Sequence, residues 1–141
     1  MLKKLDQVLY TAQTHTTGGR EGAGKTSDGA LDVKLSSPGS RKPGTNPEQL
    51  FGIGYSACFI GAMQIAGTRL GIKVPENAAV DASVSLGKTD GGAAYALAVK
   101  MAINLPGLDD AQKKLLIEAA HQTCPYSNAT RGNIEVEFTI V

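Results

Sequence analysis

One segment constrains this chain more than any other. Residues 50–70 are apolar nearly all the way round a helix, with the small residues Gly54, Ser56, Ala57, Gly61, Ala62, Ala66 and Gly67 distributed along it. The start is marked: Asn46 can cap, Pro47 suits the first helical position, and Gln49 completes a capping-box pattern. Gly71 marks the end. A helix without a polar face is expected to be buried on most sides, so the rest of the fold has to surround it. Aromatic residues make up only 5% and there is no Trp. The core is therefore expected to be aliphatic and Ala-rich, with part of it completed by a second subunit.

The other elements follow from periodicity. Val8, Tyr10 and Ala12 alternate with polar neighbours, the pattern of one half-buried strand. Gly18 and Gly19 mark a turn, and Leu31, Val33 and Leu35 alternate in a second strand, with room for a short one near residues 20–26. Residues 36–44 carry every loop signal. Val80, Ala82, Val84 and Leu86, then Asp90-Gly91-Gly92, then Tyr95, Leu97, Val99, Met101 and Ile103 read as a hairpin. Asp109 with Gln112 predicts a capped second helix whose apolar face is Leu115, Leu116, Ala119 and Ala120, stopping near Cys124-Pro125. Ile134, Val136, Phe138 and Ile140 alternate in a last strand. The order predicts an α+β fold with antiparallel sheets packed around central helices. At 141 residues one domain spanning 1–141 is expected.

A net charge of +1 with no basic run gives no reason to expect a nucleic-acid partner. Residues 1–6 carry charge but no apolar segment behind them, unlike a signal peptide. No apolar stretch is expected to approach the roughly 18 residues of a membrane span, so the reading is a cytoplasmic protein with no membrane partner. In that reducing setting two cysteines are too few for a closed zinc site and poorly explained as a structural disulfide. Two inert buried thiols or a redox pair remain.

Residues 19–26, G-R-E-G-A-G-K-T, match the phosphate-loop pattern. That pattern binds phosphate only between a buried strand and a helix. Here residues 11–17 are mostly polar, and Ser27-Asp28-Gly29 is a turn leading to another strand. The motif is better read as a Gly-rich turn that presents Arg20.

Cys58, taken alone, has the sequence surroundings of an ordinary buried thiol, and Cys124 is equally uninformative by itself. Thiol chemistry needs a thiolate, hence a nearby cation or helix N-terminus. Arg20 could supply the charge, and Glu48 could hold its planar fork bidentately. An obstacle is geometric: ten residues of unbroken helix put Glu48 and Cys58 about 15 Å apart along the axis and roughly 80° apart around it. Either the helix is interrupted near Gly52 and Gly54, or a site is built from two subunits. The favoured expectation is an interruption, which would also start a new helix just before Cys58.

Four segments taken together resemble the organic hydroperoxide resistance (Ohr) family, within the wider OsmC group. They are Thr17-Gly18-Gly19-Arg20, Thr45-Asn46-Pro47-Glu48-Gln49-Leu50-Phe51, Gly54-Tyr55-Ser56-Ala57-Cys58-Phe59, and His121-Gln122-Thr123-Cys124-Pro125-Tyr126-Ser127-Asn128-Ala129-Thr130-Arg131-Gly132-Asn133. The last is the most specific and points to Ohr over OsmC. Glu21 departs from the usual Gly-Gly-Arg-Asp-Gly without touching Arg20.

The resemblance implies a thiol peroxidase working as an intertwined homodimer. Cys58 would attack organic hydroperoxides, Cys124 would resolve the product as a disulfide, and Arg20 and Glu48 would activate the thiol. The reductant it implies is a lipoylated protein or dihydrolipoamide, so the resemblance implies no bound cofactor and no metal. Phe51, Ile53, Tyr55, Phe59, Met63 and Tyr126 are the candidate walls of an apolar substrate pocket. His15 and His121 are given no catalytic role.

Overall fold

The computed structural model describes residues 2–141. Met1, where the N-terminal reading begins, lies outside the described residues. The chain divides into two compact units, one up to Pro47 and one from Glu48 to Val141.

The first unit holds a three-stranded antiparallel sheet, β1 (Thr14–Thr17), β2 (Ala23–Thr26) and β3 (Asp32–Lys34), in that order. Between β1 and β2 the backbone enters the left-handed region at Gly18 (φ 73°) and makes one 3-10 turn over Gly19–Glu21. A Cβ on Gly22 would lie 1.7 Å from the Thr17 carbonyl oxygen, so the turn closes only on glycine. Arg20 is exposed on this turn. Lys25 and Thr26 are strand residues, and the Thr26 hydroxyl donates to Asp28 at 2.7 Å and accepts from the Leu31 N–H at 3.0 Å. No helix follows the phosphate-loop pattern, as its flanks predict. The strand expected at Val8, Tyr10 and Ala12 is absent. Residues 8–13 form no ladder, and Val8 and Tyr10 are 63% and 79% exposed. β1 starts later, on the Thr-rich run Thr14–Thr17, because ladder bonds to β2 define it and no buried face does.

In the second unit α1 (Pro47–Leu70) is a 24-residue helix. Its C-terminus is a Schellman closure: Gly71 turns left-handed (φ 71°) and the Ile72 N–H donates to the Gly67 carbonyl at 2.9 Å. The hairpin β4 (Ala79–Thr89) and β5 (Ala94–Asn104) is in register from Ala79↔Asn104 to Thr89↔Ala94, around the turn Asp90–Gly92. α2 (Asp110–Thr123) carries the expected capping box, Gln112 N–H to Asp109 at 2.8 Å and Asp109 N–H to Gln112 at 3.1 Å. A six-residue helix not foreseen in the sequence, α3 (Pro125–Thr130), follows at once. β6 (Val136–Ile140) closes the sheet in the order β4-β5-β6.

The core lies between α1, α2 and the inner face of β5. Tyr55, Phe59 and Met63 pack with Val99, Met101, Ile103, Leu105, Leu116 and Ala120, each at most 1% exposed. Complete burial of a side chain such as Phe59 is worth about 1.5–3 kcal/mol, so this layer fixes α1 on the sheet.

The α+β architecture with antiparallel pairing holds for β1–β2, β2–β3 and β4–β5, whereas β6 runs parallel to β5. The intervening helices supply the crossover that parallel pairing requires. Two expectations about α1 are corrected. By length and composition it could cross a membrane, since small polar residues interrupt its apolar run without adding charge between Glu48 and Arg69. It is also not buried on most sides: Gly52, Tyr55, Phe59, Ala62, Met63, Ala66 and Gly67 form one buried stripe, while Ile53 and Ile65 are 71% and 52% exposed.

Candidate active site

The helix expected to break near Gly52 and Gly54 runs unbroken, so within one chain Glu48 and Cys58 stay about 15 Å apart along the axis. The glycines serve clearance. A Cβ on Gly52 would meet Val84 at 3.4 Å, and one on Gly54 would meet the Tyr126 hydroxyl at 3.1 Å and its ring at 3.5 Å. Both let a neighbour approach the helix closely while the helix continues.

Cys58 lies mid-way along α1 and is partly exposed. Cys124 sits at the junction of α2 and α3 and is completely buried. Both are free thiols, and the Cys124 thiol donates to the Cys58 sulfur across 3.3 Å. A disulfide bond is about 2.05 Å long, so a shift of about 1.3 Å would close the gap. No second helix start exists within α1; the start of α3, from elsewhere in the sequence, follows directly on Cys124. Burial pushes the Cys58 thiol above its ordinary 9.0; the Tyr126 N–H pulls it down, and the adjoining Cys124 pushes it up again. Burial is the largest of these influences, so the net direction disfavours the thiolate.

The candidate pocket residues separate by helical angle. Phe51 lies two turns before Cys58 on nearly the same face. It forms an aromatic group with Tyr55, at 5.9 Å between centroids, and with Tyr126 at 5.8 Å. Tyr126 is 39% exposed, so this group reaches the surface. Phe59 stacks on Phe138 at 5.0 Å and Met63 is fully buried, and core packing accounts for both. Ile53 and Met63 each lie about 140° around α1 from Cys58, and neither is brought to the thiol of its own chain.

Polar residues of the last motif hold the dithiol in place. The Tyr55 hydroxyl, one turn before Cys58, bonds Ser127 at 2.7 Å and Thr130 at 3.2 Å, all buried. Arg131 donates to the His121 carbonyl at 2.7 Å and to the Asn128 side-chain oxygen. Apart from Tyr55, read there as a pocket wall, these residues were given no role in the sequence reading, although they all lie in its most specific segment. His121 packs edge-on against Phe138, and its Nδ1 is buried with no hydrogen-bond partner among the described residues. Burial, then the Arg131 charge, lowers its pKa from the ordinary 6.5. Among the described residues no group of three or more His, Cys, Asp or Glu could hold a metal ion.

A family model described as OsmC-like protein matches residues 37–139. The organic hydroperoxide resistance protein of Xanthomonas axonopodis pv. citri is 50% identical over 139 residues, 96% of each chain. The crystal structure of the organic hydroperoxide resistance protein OhrB of Bacillus subtilis matches with a TM-score of 0.88 at 36% identity, over 95% of this chain and 100% of that one. That of an organic hydroperoxide resistance protein from Elizabethkingia anophelis matches with a TM-score of 0.86 at 41% identity, over 95% and 97%. By sequence and by fold, the chain belongs to the organic hydroperoxide resistance family of the OsmC-like proteins.

Proposed function

We propose that this protein is a cytoplasmic thiol peroxidase of one 141-residue domain that reduces organic hydroperoxides and so protects against organic peroxide stress. The observation that carries the reading is the apposition of two free sulfurs at 3.3 Å, one partly exposed and one fully buried. The Cys58 thiolate attacks one peroxide oxygen, the O–O bond breaks, and the alkoxide leaves and is protonated to the alcohol. Cys58 is then a sulfenic acid. The Cys124 sulfur attacks it, an S–S bond forms, and the sulfenic oxygen departs as water. A dithiol of the lipoyl type, free or on a lipoylated protein, restores both thiols by exchange.

Arg20 is the proposed cation: it stabilises the thiolate and the charge developing on the leaving oxygen, with Glu48 orienting it. Because Glu48 is too far along α1 to serve the Cys58 of its own chain, the reading includes a homodimer in which it serves the thiol of a second copy. Exposed apolar residues support that assembly in each unit: Leu2, Leu5, Leu9 and Tyr10 in the first, Ile53 and Ile65 in the second. The aromatic group of Phe51, Tyr55 and Tyr126 favours alkyl and fatty-acid hydroperoxides, because apolar burial is worth about 25 cal/mol per Å².

The test is turnover of cumene hydroperoxide with dihydrolipoamide as reductant. The protein is expected to turn over, and Cys58→Ser to be inactive. Mass spectrometry after one equivalent of peroxide is expected to show a Cys58–Cys124 disulfide within one chain. No turnover, or undiminished turnover in Cys58→Ser, removes the reading.

A further inference from the structure

The break between α2 and α3 leaves backbone groups that have to be satisfied. The Cys124 N–H still bonds back to the Ala120 carbonyl at 2.8 Å. The next acceptor, the His121 carbonyl, would take the N–H of residue 125, but that residue is proline and has none. The Arg131 guanidinium fills the position at 2.7 Å. The carbonyl after that, Gln122, would take the Tyr126 N–H in a continuous helix, but the ladder of α2 ends at Cys124. The Asn128 side-chain amide donates to Gln122 in its place at 3.3 Å. Arg131 and Asn128 are themselves hydrogen-bonded, three residues apart at the end of α3.

We propose that Arg131 and Asn128 are positioning residues for the Cys58–Cys124 pair. Their side chains replace two main-chain donors at the end of α2, so the chain can break at Cys124-Pro125 without orphaned carbonyls. That break sets the Cys124 sulfur 3.3 Å from Cys58. The inference rests on Cys58 and Cys124 being a redox pair. Neither positioning residue touches substrate or a reacting atom. The planar fork of Arg131 is essential to it, since one arm takes a carbonyl of α2 and the other a side chain of α3. Lysine would keep the charge and lose the geometry.

The experiment equilibrates the full-length protein in glutathione redox buffers and quantifies the Cys58–Cys124 disulfide by alkylation and mass spectrometry. Arg131→Met and Arg131→Lys are both expected to lower the disulfide's equilibrium constant about tenfold, a rise in potential of about 30 mV. Asn128→Ala is expected to shift it less, in the same direction. A residue that only adds stability would lower the melting temperature and leave the potential unchanged. Potentials equal to the parent's in Arg131→Lys and Asn128→Ala overturn the proposal, and these milder variants carry the test if Arg131→Met does not fold. A parent protein that forms no Cys58–Cys124 disulfide under any buffer overturns it too. A parent that forms the disulfide with glutathione but reduces no hydroperoxide removes the peroxidase reading and not this one.

Discussion

Tyr55→Phe removes one oxygen from the most buried polar cluster in the second unit, and the consequence can be worked from the bonding order. Thr130 donates to the Ser127 carbonyl at 3.3 Å. Its hydroxyl is then free to accept from Tyr55 at 3.2 Å, which leaves Tyr55 to accept from Ser127 at 2.7 Å. Each hydroxyl donates once, in the sequence Ser127 to Tyr55 to Thr130 to backbone. Without the Tyr55 oxygen, Thr130 keeps its own donation, but the Ser127 hydroxyl, completely buried, has lost its acceptor. Orphaning a buried donor costs about 1–3 kcal/mol, and the second lost bond adds about 0.5–1.5 kcal/mol. The expected loss is about 2–3 kcal/mol. Ser127→Ala should cost less, about 1 kcal/mol, because Tyr55 still donates to Thr130. In the double variant no donor is orphaned, so it should be more stable than the sum of the singles predicts by about 1–2 kcal/mol. Urea unfolding at one fixed protein concentration, under reducing conditions, measures all four corners of the cycle. Additivity within about 0.5 kcal/mol, or a Tyr55→Phe loss below that size, would refute the bonding order and the view that this cluster ties α3 to α1.

Two glycines of α1 should respond in opposite senses. Gly52→Ala is expected to stabilise by about 0.5–1 kcal/mol, since its Cβ meets Val84 at 3.4 Å in a continuous helix. Gly67→Ala is expected to destabilise by more than about 2 kcal/mol, because its Cβ would lie 2.3 Å from the Ile72 carbonyl oxygen; thermal melts of both distinguish the cases, and a destabilising Gly52→Ala would revive the broken helix. The depressed His121 pKa means the unfolded chain binds a proton near the ordinary 6.5 that the folded chain resists, so stability falls as pH drops below that value. His121→Phe should flatten this acid limb in urea titrations at pH 5 and 7.5, and an unchanged slope would reassign it to other groups. With Arg20→Met, the proposed cation would no longer offset the burial that raises the Cys58 pKa, and the thiolate would be scarce at pH 7. The peroxide reaction should then fall at least about tenfold at pH 7 and climb with pH through 9; a profile matching the parent's would remove Arg20 from activation.

What could be seen in advance depended on whether a burial pattern within one chain encoded it. The alternation of Val99, Met101 and Ile103 exposed β5 because that strand has one face in the core, and the Asp109–Gln112 box is local chemistry readable from two residues. Val8, Tyr10 and Ala12 carry the same alternation with nothing in their own chain to bury it, so the pattern misdirected. The parallel pairing of β6 was implied by a signal already recognised, a helix between the two strands, which excludes a hairpin. The glycines of α1 were ambiguous in principle. A glycine that breaks a helix and one that clears space for Tyr126 look alike until the neighbour is in place. The junction at Cys124 was different again. Pro125 alone requires that the His121 carbonyl find a donor outside the helical ladder, and of the side chains that follow, Asn128 and Arg131 lie one turn apart and can reach back together. Pro125 thus marks in the sequence that the His121 carbonyl needs a new donor, whereas Arg131 as that donor emerges only from the fold.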